Sequence, residues 1–528
     1  MPYLESRGEM NNRENYIFWK LAYSLISEHD YRLIQLFENQ KELWLEKLEN
    51  KHAPIIRLQL ETFDWGNAMQ RDIEFCAVNG EGIRKQLGRS ELQVTNIYIS
   101  EYPPVDDYEF RVAQPFINPD GNKTAVRTIL LTKDQAEARL SAISEVMHTE
   151  INFSIAEEYT AEDVEFVKKA AIEHTFKKAK AEKEILRNSK PFITYLFILI
   201  QCIIFFWMEL NGGSTNTSNL IKYGAKVNQL IVQGEWWRFI TPVFIHIGFL
   251  HLAMNTLSLY YLGTEVERIY GRFRFLIIYI FAGFTGVVAS FLFSPSLSAG
   301  ASGAIFGCFG ALIYFGVTYP KLFMRTMGMN LIIVLVLNLV FGFSMAGIDN
   351  AGHLGGLAGG FLAAGLVHFP KKTKLLFQIL FLAASVILVW GSLTYGYNNS
   401  ASAQDEDTTL VLAQDYIKQE NYDAAYDTLK QYQNQGSELT ERSYFLLSYV
   451  EIKKGLLSEA KIHLKKAIEL DPDFPEAYFN LALVYLEEND LQKAKENAER
   501  AVELNPKETQ YSNLVQEINQ YLKSSGGE

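Results

Sequence analysis

The middle third of this chain limits what it can become. Between residues 191 and 397, apolar stretches follow one another at 191–210, 247–265, 273–293, 302–319, 328–347, 350–369 and 374–397. Crossing the hydrocarbon core of a membrane as a helix takes about 20 mainly apolar residues, so the region reads as seven spans. Several are shorter or richer in glycine than a simple anchor needs. Small residues let membrane helices approach closely, which points to a packed bundle.

Lys/Arg asymmetry between the loops sets the direction of the spans. The approach to the first span is basic (Lys177, Lys178, Lys180, Lys183, Arg187, Lys190). So are the loops after spans two, four and six, with Arg268, Arg272 and Arg274, then Lys321 and Arg325, then Lys371, Lys372 and Lys374. The loops "SPSLSAGA" and "AGIDN" after spans three and five carry no positive charge, and the long segment after span one carries three. The expected topology therefore has a cytoplasmic N-terminal domain and, after seven crossings, a C-terminal domain outside.

Direction then places the polar residues in depth. His246, His251 and Asn255 stand at the outer end of span two, Ser302 at that of span four, and His353 just inside that of span six. With a rise of about 1.5 Å per residue, these groups from three helices fall in one layer near the outer leaflet. Strongly polar groups inside a bilayer default to functional readings. A serine in a membrane helix more often bonds a backbone carbonyl or packs at a crossing, and the stripes Gly352/Gly356/Gly360 and Gly355/Gly359 are packing surfaces first. Yet Gly303 and Gly307 give span four a matching face, so spans four and six can lie almost backbone to backbone. That crossing brings Ser302 within reach of His353.

A hydroxyl becomes nucleophilic when a nearby base takes its proton, and histidine is the usual base at neutral pH. Acyl transfer also needs donors aimed at the developing oxyanion. His251 and Asn255, spaced i, i+4, share one helix face, and the N–H groups at the start of span four are unsatisfied helix-terminal donors. Asp349, four residues before His353, is the one nearby carboxylate and reads as a solvated loop residue, so the expectation is a Ser302–His353 dyad without a third member.

These residues resemble the rhomboid intramembrane serine proteases. The matching motifs are "EWWRF" (Trp237, Arg238), "HIGFLHLAMN" (His246, His251, Asn255), "GASG" (Gly300 to Gly303) and "GHLGG" (Gly352 to Gly356), all in the family's order. The resemblance implies Ser302 as nucleophile and His353 as general base. It implies His251, Asn255 and the Ser302 amide as oxyanion donors, with Trp237 and Arg238 holding a lipid-embedded loop. His246 would be structural or water-retaining, and Gly300 and Gly303 would support the site. Phe306 stands where many members have tyrosine, so it can stack beneath the histidine but offers no hydroxyl.

The flanking regions are polar. Segment 405–508 repeats at a 34-residue offset, with Tyr444 matching Tyr478, Leu447 matching Leu481, Ala460 matching Ala494, Ala467 matching Ala501 and Pro472 matching Pro506. That period resembles tetratricopeptide (TPR) repeats, an all-α solenoid whose groove takes a protein partner. Residues 1–175 combine a helical opening at 13–48 (Phe18, Leu21, Ile26, Leu33, Leu36) with strand-like runs "IIRLQL", "DIEFCAV", "LQVTNIYI" and "AVRTILLT". A helix from Lys133 follows, and the whole suggests a soluble α/β domain. His52, Asp64, Asp72, Glu74 and Cys76 are conceivable metal ligands, but no spacing favours that over surface charge, and no cofactor motif is present. A lysine-rich helix (162–188) leads toward span one.

The expected architecture is thus multi-domain: 1–175 cytoplasmic, 176–190 a basic helical linker, 191–397 a polytopic α-helical membrane bundle, and 398–528 extracytoplasmic repeats. A net charge of −12 without a basic face argues against nucleic-acid binding. Three cysteines without a C-x-x-C pair indicate neither a disulfide framework nor zinc, and the first residues lack the apolar core of a cleavable signal peptide. The leading expectation is a multi-pass cell-membrane endopeptidase acting within the bilayer on membrane proteins with a destabilised transmembrane helix. The alternative is a non-cleaving rhomboid-like scaffold or quality-control adaptor that recruits partners through its repeats.

Overall fold

The computed structural model describes residues 12–117, 123–345, 347–370, 372–399, 405–434 and 439–525; Lys371, one of the charges used for orientation, lies outside them. The chain divides into two compact units, Met1–Glu184 and Ile185–Glu528.

In the first unit the strands β1 (Arg32–Leu36), β2 (Glu42–Glu46), β3 (Ile55–Leu60), β4 (Leu92–Ile99), β5 (Phe116–Ile117) and β6 (Thr124–Leu131) form one sheet in the order β1-β2-β3-β4-β6-β5. β3, β4 and β6 run parallel, and the β3–β4 crossover is the helix Gly66–Gln86. Parallel strands need such a connection, because a tight turn cannot return the chain in the same direction. Alternation along the strands supplies two cores. Ile56, Leu58, Leu60, Ile97 and Ile99 pack under the helices Asn12–Ser27, Ala136–Met147 and Ala161–Leu186. Ile55, Val94, Tyr98 and Val126 pack under Gly66–Gln86.

Two sequence expectations fail here. The opening helix ends at Ser27 rather than running to 48. Asp30 takes a left-handed conformation (φ 62°), and Leu33 and Leu36 lie on β1, which pairs antiparallel with β2. "DIEFCAV" is helical rather than a strand. Its buried residues Met69, Ile73, Cys76, Ala77 and Gly80 recur every three or four positions, a helical period that the short run conceals.

Among the described residues of the second unit, four helices are long and apolar enough to cross a membrane: Ile193–Leu210, Arg272–Phe293, Pro320–Ser344 and Leu375–Asn399. Ser302–Thr318 is apolar but shorter. The Arg272–Phe293 helix is the bundle's centre, packed against both the Ser302–Thr318 helix (the serine helix) and Asn350–Val367 (the histidine helix). The glycine stripes explain the closeness. A Cβ added at Gly356 would lie 1.9 Å from the Gly303 carbonyl oxygen, and one at Gly360 2.0 Å from that of Gly307. The second stripe faces the central helix, where a Cβ at Gly355 would meet Ala289 Cβ at 2.4 Å and one at Gly359 would meet Thr285 Oγ1 at 1.8 Å. The first stripe is therefore a backbone contact, while the second makes room for the Ala289 and Thr285 side chains; neither leaves space for a side chain of its own.

Seven helices from Glu406 to Ser525 follow as a repeat stack, with Ala460, Ala467, Ala494 and Ala501 fully buried between paired helices. The first pair, Glu406–Lys418 and Tyr422–Asn434, leans on the 211–246 segment of the membrane unit. Leu412 packs with Ile221, Val227 and Leu230. The Ser218 hydroxyl donates to Asp415 at 2.5 Å, and the Gln229 amide to Thr428 Oγ1 at 3.1 Å.

Candidate active site

Ser302 is the first residue of the serine helix, and the loop delivering it is fastened to the 242–251 segment. The Gly300 N–H donates to Pro242 O at 2.8 Å and the Ala301 N–H to His246 Nε2 at 3.4 Å. Gly300 has φ 138°, and a Cβ there would lie 2.6 Å from His251 Cε1. Only glycine meets both demands. His246 is fully buried and stands edge-on to His251, with ring centroids 5.4 Å apart.

His353 lies in the first turn of the histidine helix, its ring stacked on Phe306 at 4.3 Å with 9° between the planes. Close by, a Cβ at Gly303 would touch Gly352 O at 3.3 Å. Among the described residues no hydrogen bond joins the Ser302 hydroxyl to His353, and His353 Nδ1 has no partner. Catalytic hydrogen bonds are often loose before substrate tightens them. The Asn255 amide donates to His251 O at 2.9 Å, leaving one of its two N–H bonds for another acceptor.

Asp349 corrects an expectation, because it is not a solvated loop residue. One carboxylate oxygen accepts the Ser298 hydroxyl at 2.7 Å, and the other accepts the Gly352 N–H at 2.9 Å, capping the histidine helix. Both oxygens are thus engaged away from His353.

Trp237 is exposed, whereas Arg238 is buried and ties the outer segment together through Ile221 O (2.9 Å), Ala225 O (2.7 Å) and Glu235 (2.6 Å). Two further residues escaped the sequence reading. Lys226 is fully buried, with Nζ on Ser294 O at 2.6 Å and Ser296 O at 3.0 Å. Burial pushes its ammonium down to about 8, opposed by the Asp349 and Asp405 carboxylates. Glu267, also fully buried, accepts from the N–H groups of Phe192 (2.8 Å), Ile193 (2.9 Å) and Thr194 (2.9 Å), holding the N-terminus of the Ile193–Leu210 helix. Glu265 and Arg268 beside it make the stretch read as an ordinary charged loop, so no local signal singled Glu267 out.

The conceivable metal ligands do not converge. Asp72 pairs with buried Arg57 at 2.5 Å and accepts from the Tyr98 hydroxyl. Cys76 is in the core, Asp64 accepts from Tyr102, Glu74 from Gln70, and His52 lies against His148. Among the described residues no group of three such side chains is placed to hold an ion.

A serine at the start of a helix, a histidine stacked on a phenylalanine and glycine-joined helices in an apolar bundle define a membrane-embedded hydrolase of the rhomboid class. The chain belongs to the rhomboid family and is a rhomboid-type serine endopeptidase. The family's Rhomboid domain model matches residues 233–370, and TPR models match 449–489 and 475–508. Rhomboid protease GluP of Bacillus subtilis (strain 168) is 38% identical over 87% of this chain and 89% of its own length. The putative rhomboid protease YdcA of the same organism is 32% identical over 35% of this chain and 92% of its own. Rhomboid protease AarA of Providencia stuartii is 27% identical over 44% of this chain and 89% of its own.

Proposed function

We propose that this membrane protease cleaves peptide bonds through a Ser302–His353 dyad. The carrying observation is that the serine and histidine helices meet backbone to backbone while Phe306 holds the His353 ring over the start of the serine helix. In this reading Ser302 Oγ attacks the scissile carbonyl carbon as His353 removes the hydroxyl proton. The tetrahedral oxyanion is held by the Ser302 N–H, His251 and Asn255. Collapse expels the amine, which takes its proton from His353, and water then releases the acyl group by the same steps in reverse order. A helical substrate must unwind to offer a carbonyl, so glycine, proline and other helix-weakening residues near its outer end favour cleavage.

The reading takes 191–397 as the rhomboid core. The helices around 248–270, 302–318 and 350–367 count with the four longer ones as seven crossings. Residues 1–175 are then cytoplasmic, with the repeats of 398–528 outside, where their groove serves a protein partner. Ser302→Ala and His353→Ala are the test. Each is expected to abolish both cleavage of a transmembrane model substrate and labelling by a fluorophosphonate, and cutting by purified, folded Ser302→Ala protein would falsify the dyad.

A further inference from the structure

We propose that Asp349 is a positioning residue that locks the loop delivering Ser302 to the helix delivering His353, with Ser298 and Lys226 completing the lock. The inference rests on the dyad reading above.

The loop 294–301 is gripped from two sides. On one side, Lys226 pairs with Ser298 through both backbone groups, at 2.8 Å and 3.2 Å, and its ammonium binds Ser294 O and Ser296 O. Asn228 adds its amide to Ser294 O and Phe291 O, both at 3.3 Å. On the other side, the Ser298 hydroxyl reaches Asp349, whose second oxygen caps the helix at Gly352, the residue before His353; the Asp349 carbonyl accepts the His353 N–H itself at 3.1 Å. One carboxylate therefore couples a point four residues before Ser302 to the turn that bears His353. Charge-assisted hydrogen bonds are the strong ones and hold position well.

The need for such a lock follows from the glycine contacts. They fix how far apart the two helices stand, but a smooth glycine face resists sliding along the axes poorly. The lock adds a directional hydrogen-bonded tie between the loop before the serine helix and the first turn of the histidine helix. A misplacement of about 1 Å can cost about a hundredfold in rate, so a modest slide of one helix end is enough to matter.

The experiment measures kcat and KM on a transmembrane substrate, the acylation rate with a small fluorophosphonate, and thermal stability, all on full-length protein. Ser298→Ala removes the loop's bond and leaves the helix cap. It is expected to lower kcat and acylation rate together by about tenfold with KM nearly unchanged, and Ser298→Thr, which keeps the hydroxyl, is expected to restore both. Asp349→Ala is expected to fall further, and the double variant no further than Asp349→Ala alone, because both changes cut one link. Asp349→Asn can still accept from Gly352 and donate to Ser298, so it is expected to fall between. A folded Ser298→Ala protein with wild-type kcat and acylation rate overturns the proposal, as does a loss confined to thermal stability. Ser302→Ala and His353→Ala run alongside: if they remain active the dyad itself has failed, and if they are dead while Ser298→Ala is normal only the lock has failed.

Discussion

Gly356→Ala is the sharpest perturbation this structure offers. The added carbon would sit 1.9 Å from Gly303 O, 2.6 Å from Gly303 C and 2.9 Å from Gly303 Cα. All three atoms are backbone, so no rotamer relieves the clash. An ordinary carbon–oxygen contact is about 3.3 Å, which asks the two helices to part by about 1.4 Å. Alanine recovers about 1 kcal/mol of helix propensity, while overpacking of this severity costs about 3 kcal/mol or more, so the net effect is destabilising by at least about 2 kcal/mol. The displacement falls beside Ser302 and one turn from His353, and about 1 Å there is worth about a hundredfold in kcat. The assay is cleavage of a fluorogenic transmembrane substrate in liposomes, paired with a melt in detergent. Gly391→Ala is the control, since a Cβ there meets nothing within 4 Å; it is expected to keep wild-type kcat and to melt no lower than wild type. A Gly356→Ala enzyme with both melting temperature and kcat near wild type would refute the claim that these backbones touch.

Glu267→Ala strips one carboxylate from three backbone donors and the Thr194 hydroxyl. Hydrogen bonds to charged groups are worth about 1.5–3 kcal/mol each, net of the water they displace; a loss of at least roughly 3 kcal/mol is expected in a melt, with kcat per folded molecule preserved. Unchanged stability would mean that water replaces the carboxylate freely. Cys76 gives a pH test, because burial pushes its thiol up to about 12 from an ordinary value of 9.0. The unfolded chain ionises first, so this group's contribution to stability is intact below pH 9 and declines as pH rises toward 12. Hydrogen exchange in β3 and β4 should show a shallower alkaline loss for Cys76→Ala, and iodoacetamide labelling of folded protein at the rate of an exposed thiol would contradict the burial.

What the sequence disclosed followed from how much polarity costs in an apolar run. Ser302, His353 and the glycine stripes stand out because hydrocarbon-like surroundings leave few reasons for such residues, and a four-residue glycine period has a direct geometric meaning. Asp349 was misread because its partner Ser298 lies 51 positions away, and no local pattern announces a bond across that distance. Lys226 and Arg238 were counted as loop charges setting orientation, but the structure buries both and spends them on carbonyl oxygens. The segment they occupy therefore exposes less positive charge than its composition suggests. In the N-terminal unit the misassigned runs were short. Leu33 and Leu36 fit a helix face and a strand equally well until β2 supplies a partner.

The two kinds of fastening around Ser302 and His353 work in different directions and with different tolerance. Backbone contacts at Gly303–Gly356 and Gly307–Gly360 set the separation of the helices, and they are steep: the next larger residue already collides. The polar contacts at His246, Lys226 and Asp349 set the height of the loop, and each is a hydrogen bond that can stretch by tenths of an ångström before it fails. A substrate strand entering beside Ser302 therefore meets helices spaced by steric contact and a loop whose height is held by hydrogen bonds. Under the proposed dyad, fixed helix spacing keeps the imidazole seated on Phe306 while the loop's hydrogen bonds hold Ser302 at the start of its helix.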